Sequence, residues 1–245
     1  VIETDGLSKH YGRKLRFCAE IEDFETDAFD QSGANVSATV DEQFTPRVRG
    51  SLGVEAGYAS ILDQQSLAAG TGRRDVYILS GSGTAEYVGV KDILDPSEGL
   101  RARVAIEPGV TYGDTNIVFS RLSGEASLYG EVGSENLIAA LRGRLGTIIG
   151  PNGAPPDRLF FAGGGGSVRG YEYQSLGARE GDAVVGGRYL ATATAEYVRW
   201  FSPAWGGALF LDVGDAADAR DDLRANKSYG VGVRWRTPAG PLAID

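Results

Sequence analysis

The sequence of 245 residues contains no methionine, one cysteine and one histidine. A single cysteine, Cys18, excludes an internal disulfide framework. It alternates with no histidine, so it makes a poor nucleophile candidate. His10 stands alone, without the cysteine or acidic spacing that a metal site or a catalytic triad needs. The sequence also lacks excess positive charge: 24 Lys and Arg face 33 Asp and Glu, a net charge of −9. With no basic cluster to offset that balance, binding through nucleic-acid phosphates is disfavoured. No run approaches the roughly 20 apolar residues of a transmembrane helix, and no signal peptide opens the chain. Without an initiator methionine, the chain reads as a processed or truncated piece. None of this excludes a membrane, because a β-barrel wall alternates lipid-facing and lumen-facing residues and keeps a modest mean hydropathy.

What the sequence does have is alternation with period two, in segments near the ~10 residues of a membrane strand. Leu15, Phe17, Ala19 and Ile21 alternate with Arg16, Cys18, Glu20 and Glu22 over Lys14–Asp23. Asp27–Gly33 reads as a polar turn, and a weaker strand follows over Ala34–Phe44. Val48–Ser60, Asp75–Val90 (with a glycine bend at Gly81 or Gly83), Leu100–Val110, Asn116–Gly130 and Asn136–Ile149 repeat the theme. Gln64–Arg74 reads as a loop, and Leu94-Asp-Pro-Ser-Glu-Gly99 as a turn. After a long loop come Arg188–Trp200, Gly207–Gly214 and Ser228–Arg236, with a polar loop over Asp215–Asn226. A tight turn at Thr237–Pro241 leads into a last strand from Leu242.

The pattern predicts an all-β fold of about ten or eleven antiparallel strands. One face is apolar, with Tyr58, Tyr189, Tyr197, Trp200 and Trp235 near strand ends as an interfacial girdle would be. The other carries charges of both signs: Arg49, Glu55, Arg101, Arg103, Glu107, Arg121, Glu125, Arg142, Arg144, Glu196, Asp212, Arg234 and Arg236. A soluble sandwich would show the same alternation. The arginine–carboxylate mixture and the length of the strands favour a barrel with a polar lumen.

The loop, residues 150–186, is too long for a hairpin connection. It holds four consecutive glycines, Gly163, Gly164, Gly165 and Gly166, and then Val168-Arg169-Gly170-Tyr171. No Lys-Ser/Thr follows the glycines and no helix starts there, so this is no phosphate loop. If the loop folds into the lumen, Arg169 needs a carboxylate, since an unpaired charge away from water is costly. Glu196 and Asp212 lie on the next two strands with lumen parity, and a guanidinium fork can bridge both. The plainer alternative is that Arg169 is a solvated loop charge, and the pattern alone leaves both open.

Five ordered motifs decide the expectation: Gly163–Tyr171, Gly186-Gly187, Ala195-Glu196-Tyr-Val-Arg199, Phe210-Leu-Asp-Val-Gly214, and Gly230–Leu242. In identity, order and spacing they resemble the C-terminal part of the bacterial surface-antigen outer-membrane barrels, the assembly and translocation superfamily. The likeness is strongest to the translocation-and-assembly-module barrel (TamA type), and the general assembly-machine barrel is the nearest rival.

The resemblance implies a sixteen-stranded transmembrane barrel preceded by POTRA domains. Residues 1–245 would then be a partial barrel domain that lacks the POTRA domains, roughly the first four strands and the final one. Val168, Arg169, Gly170 and Tyr171 would form the tip of an extracellular loop tucked into the lumen, with Arg169 on Glu196 and Asp212. The implied function is a bacterial outer-membrane assembly factor that inserts β-barrel or autotransporter clients. Its partners would be outer-membrane lipids, nascent outer-membrane proteins and an inner-membrane-anchored periplasmic protein. No cofactor, metal or nucleotide is expected, nor any enzymatic activity. The alternative is a polypeptide-secretion pore of the two-partner type.

Overall fold

The structure, a computed structural model, describes residues 2–4, 12–25, 28–63, 72–237 and 240–245. His10, most of the expected loop Gln64–Arg74, and Pro238 and Ala239 of the expected tight turn lie outside the described residues.

The wall begins with β1 (Ile2–Thr4), β2 (Lys14–Glu25), β3 (Phe29–Thr45), β4 (Val48–Asp63) and β5 (Arg73–Val88). It continues with β6 (Gly99–Gly113), β7 (Ile117–Glu131) and β8 (Leu137–Ile149). Inside the long loop lies a two-stranded ribbon, β9 (Arg179–Glu180) and β10 (Ala183–Val184). The wall resumes with β11 (Tyr189–Trp200), β12 (Trp205–Ala217), β13 (Asn226–Thr237) and β14 (Gly240–Ile244). Twelve of these strands form one antiparallel sheet in chain order, β8 pairing directly with β11 across the loop. Among the described residues no pairing joins β1 to β14.

Alternation explains the faces. Val54 pairs with Gly81, Leu128 with Leu141, Ala195 with Leu211, and Leu209 with Val231. Each pair keeps the apolar side in register, because a slip of one residue would turn the whole row over. These side chains stay exposed: Val54 is 62% exposed, Leu209 59% and Val231 71%, and Tyr229 on the same face is 87% exposed. A row of leucine, valine and tyrosine this open suits lipid as solvent and not water. Trp205 and Trp235 stack in parallel, ring centroids 5.1 Å apart, on that outer face.

Several boundaries differ from the sequence reading. Of the expected turn Asp27–Gly33, Asp27 lies outside the described residues and Phe29–Gly33 is strand, since β3 starts at Phe29 and Asp30–Gly33 pair with Glu22–Glu25. The strands run on beyond the apolar band, where alternation has no hydrophobic marks to show. For the same reason β12 reaches Ala217, leaving a connection of residues 218–225. β5 passes through Gly81 and Gly83 as one strand paired with β4. Its pairing with β6 skips Gly81 and Ser82 opposite Pro108, which has no N–H to give. Trp200 is not part of an outer girdle. It has lumen parity, is buried, and lies under the Arg236 guanidinium at 3.6 Å from the ring centroid.

The connections between β3 and β4, β5 and β6, β7 and β8, and β11 and β12 share one end of the sheet, the turn end. The long loop and residues 218–225 are at the other, the loop end. One turn crosses the lumen mouth: Asp95, between β5 and β6, accepts a 2.5 Å bond from Nε of Arg236 on β13. The apolar core lies inside the sheet, where the loop meets the wall. Phe160, Ala162 and Ala154 of the loop pack with Phe119, Ile148, Leu190 and Ala216. Ala183 packs with Ala28 and Phe29, and Phe161 joins Phe24 there.

Candidate functional site

The loop is placed in the lumen by its own backbone bonds. Phe160 and Gly187 exchange two of them, as do Ala162 and Leu176. Ser167 closes the tip: its Oγ accepts from Gly163 N at 2.9 Å and donates to Gly163 O at 3.1 Å. Only the first two of the four glycines are demanded by conformation. Gly163 has φ +100° and Gly164 φ +89°, and a Cβ on Gly163 would fall 2.4 Å from the Glu172 carbonyl oxygen. Gly165 and Gly166 have open space around them. Gly170 also has φ +83°. Val168 is fully buried and Tyr171 partly buried beyond it.

Arg169 makes the contacts that the parity argument asks for. Its Nε and Nη2 donate to the two oxygens of Asp212 at 2.7 and 2.9 Å, and its backbone N–H adds a third bond at 3.1 Å. Nη1 donates to Glu196 at 2.9 Å. Asp212 is 0% exposed, so its charge has no water to fall back on. Burial draws the Arg169 pKa down, but the bonds to Asp212, Asp245 and Glu196 outweigh it and carry it above the ordinary arginine value. The tip is a permanent cation.

Three participants escaped the sequence reading. Asp245, next after β14 and of lumen parity, accepts from Arg169 Nη1 at 2.8 Å. Arg234 on β13 donates to Glu196 at 2.8 Å and to Asp245 at 2.6 Å. Two arginines thus share three carboxylates drawn from β11, β12 and the end of β14. Phe210 supplies a floor, with the Arg169 guanidinium carbon 3.5 Å above its ring centroid. Parity marks all of these residues; what it lacked was a reason to prefer them over other lumen charges.

A second cluster, also missed, sits at the stem of the loop. Arg158 donates to Glu107 on β6 at 2.5 Å, bonds Glu55 on β4, and meets Asp157 at 2.8 Å. Burial opposes its charge, but Asp157, Glu107 and Glu55 overcome it and raise its pKa. Nothing periodic marks Arg158 in the sequence, since it lies in irregular backbone. Among the described residues no group of three His, Cys, Asp or Glu could hold a metal ion.

The Omp85 superfamily domain matches residues 4–245. The chain belongs to the Omp85 superfamily. This Omp85 chain is 35% identical over 112 residues to the outer membrane protein assembly factor BamA of Nitratidesulfovibrio vulgaris, covering 41% of this chain and 14% of that protein. It is 32% identical over 151 residues to the chloroplastic outer envelope protein 39 of Arabidopsis thaliana, covering 57% and 38%. The fold matches a crystal structure of BamA from Haemophilus ducreyi lacking POTRA domains 1–3, with TM-score 0.78 and 17% identity over 95% of this chain and 54% of that one. It also matches CdiB from Acinetobacter baumannii, with TM-score 0.57 and 12% identity over 88% and 38%. The Omp85 chain therefore spans about half or less of each relative's length. It is an outer-membrane barrel domain, all-β and antiparallel, with a loop folded inward.

Proposed function

We propose that this domain belongs to an outer-membrane assembly factor that helps β-barrel or autotransporter clients fold and insert. The observation that carries the reading is the ion-pair junction of Arg169 with Asp212, Glu196 and Asp245. It ties one loop to β11, β12 and the end of β14, with Arg234 of β13 bridging between them, and so braces these strands from inside. An incoming client strand would add to a sheet edge of the whole protein through main-chain hydrogen bonds. Strand addition needs a wall whose remaining strands do not slip, and the brace supplies that. Its role is positional, and the reading involves no enzyme step and no cofactor. The BamA name of a relative supports this function, and we extend its partners to nascent outer-membrane proteins, lipids of the outer membrane and an inner-membrane-anchored periplasmic protein. The finer subfamily assignment, to the translocation-and-assembly-module type, rests on the loop and strand motifs.

The second reading is a polypeptide-secretion pore, favoured by the fold match to CdiB. One experiment separates them. In the full-length protein, Arg169→Glu is compared with its combination with Asp212→Arg or Glu196→Arg. Insertion of a client barrel into liposomes and heat-modifiable migration are the readouts. A loss of both in the single variant, partly restored by a swap, supports the assembly reading. Unchanged insertion with altered export of a soluble substrate supports the pore.

A further inference from the structure

The loop is fastened at two places on different walls, and each sets a loop arginine and a wall arginine against wall carboxylates. At the tip, loop Arg169 and wall Arg234 share Glu196 and Asp245, with Asp212 added. At the stem, loop Arg158 and wall Arg121 share Glu107, with Glu55 added. Arg121 stands 4.0 Å from Glu107 and also lies over the Phe160 ring at 4.4 Å. So Glu107 at the stem, like Glu196 and Asp245 at the tip, has a wall arginine within reach when the loop arginine is taken away.

The backbone between Arg158 and Arg169 transmits position. Two proline residues, Pro155 and Pro156, enter a tight 3-10 turn over Pro156–Arg158. Their fixed φ limits how that turn can swing. Phe160 and Ala162 then bond to Gly187 and Leu176, and Ser167 ties back to Gly163. Gly165 and Gly166, which have open space around them, are bracketed by the bond from Ser167 N–H to Gly164 O, so these ties carry a shift of the stem to the tip.

We propose that Arg158 is the positioning residue of a second lock, which holds the stem on β4 and β6 and so sets the depth at which Arg169 meets Asp212. The loop is then a crossbar spanning the lumen. Opening the lumen requires both locks to release, and Arg121 and Arg234 stay behind to neutralise shared wall carboxylates. This goes beyond the assembly reading and holds equally for a secretion pore.

Limited trypsin digestion of the full-length protein tests it, with cleavage after Arg169 read by mass spectrometry and heat-modifiable migration reporting the wall. The variants are Arg158→Gln and, separately, Glu55→Gln combined with Glu107→Gln; Arg158→Lys is the conservative control. Arg169 is shielded when the tip is seated, its side chain being 11% exposed. In both test variants the wall keeps its heat-modifiable migration while cleavage after Arg169 rises about tenfold, the change that losing roughly 1.4 kcal/mol of closure produces. Arg158→Lys, with a cation but no fork, falls between. Cleavage as slow as in the unmodified protein, with the wall intact, overturns the proposal. Loss of heat-modifiability in step with cleavage in both variants overturns it too, since Arg158 would then merely support the wall.

Discussion

Phe210 and Gly230 face each other across β12 and β13, and the ring fills the space that a side chain at position 230 would need. A Cβ on Gly230 would come within 2.5 Å of the Phe210 ring. That vacancy lets the ring lie flat enough to carry the Arg169 guanidinium. The motif glycine on β13 is thus part of the brace, although it touches no charge itself.

Gly230→Val is therefore expected to push Phe210 aside and so loosen Arg169, with neither of those two residues altered. Overpacking of this kind costs about 1–3 kcal/mol. The check is the urea midpoint of the folded barrel in detergent, with Phe210→Leu added as a second change. The pair should recover part of the loss, because the smaller side chain vacates the clash. A Gly230→Val protein as stable as the parent would break the link.

The four-glycine run divides in two. Gly163→Ala must place a Cβ against the Glu172 carbonyl at φ +100°, whereas Gly165→Ala meets nothing. The first should lower stability by about 1–2 kcal/mol, the second by less than about 0.5 kcal/mol. Urea titration of the two single variants side by side decides it, and equal effects would argue against this loop geometry.

How much of this could be seen in the sequence follows from where periodicity operates. The wall strands announce themselves because lipid and lumen impose opposite chemistry on alternate residues. Their loop-end extensions, such as Asp30–Gly33, do not, because there the inner face is covered by the long loop, which buries Phe29 and the polar Gln31 alike and leaves no lipid–lumen alternation to read. Asp212 and Glu196 were legible through parity joined to the loop motif. Asp245 carries the same parity, but only the pairing of β14 with β13 brings it to Arg169. Arg158 was illegible: irregular backbone has no period, and its partners lie 103 and 51 residues away. Trp200 was read as an aromatic near a strand end, when its even position on β11 already set it beside Glu196 on the inner face.

At the turn end, Arg236 joins Asp95 and covers Trp200. A guanidinium can do both at once because it is flat and forked, which an ammonium is not. Arg236→Lys should keep the ion pair in part but uncover the indole. The readout is iodide quenching of tryptophan fluorescence in a protein whose Trp205 and Trp235 are replaced by phenylalanine. Quenching should rise in the variant; unchanged quenching would mean that the wall alone shields Trp200.

Asp212 is the carboxylate on which removing Arg169 should weigh most. It accepts three bonds from that residue and is fully buried, whereas Asp245 and Glu196 are partly exposed and keep Arg234. Breaking a buried pair from one side costs about 3–5 kcal/mol, mostly because the remaining charge is stranded. Arg169→Ala should thus cost more than the double variant Arg169→Ala with Asp212→Ala, which leaves no charge behind at that spot. A cycle of Arg169 with Asp245 should show weaker coupling, since Arg234 continues to satisfy that carboxylate. The two cycles, run by urea unfolding of the full-length protein, rank the partners directly. Equal coupling energies would mean that the junction behaves as one diffuse charge cluster and that burial of Asp212 does not single it out.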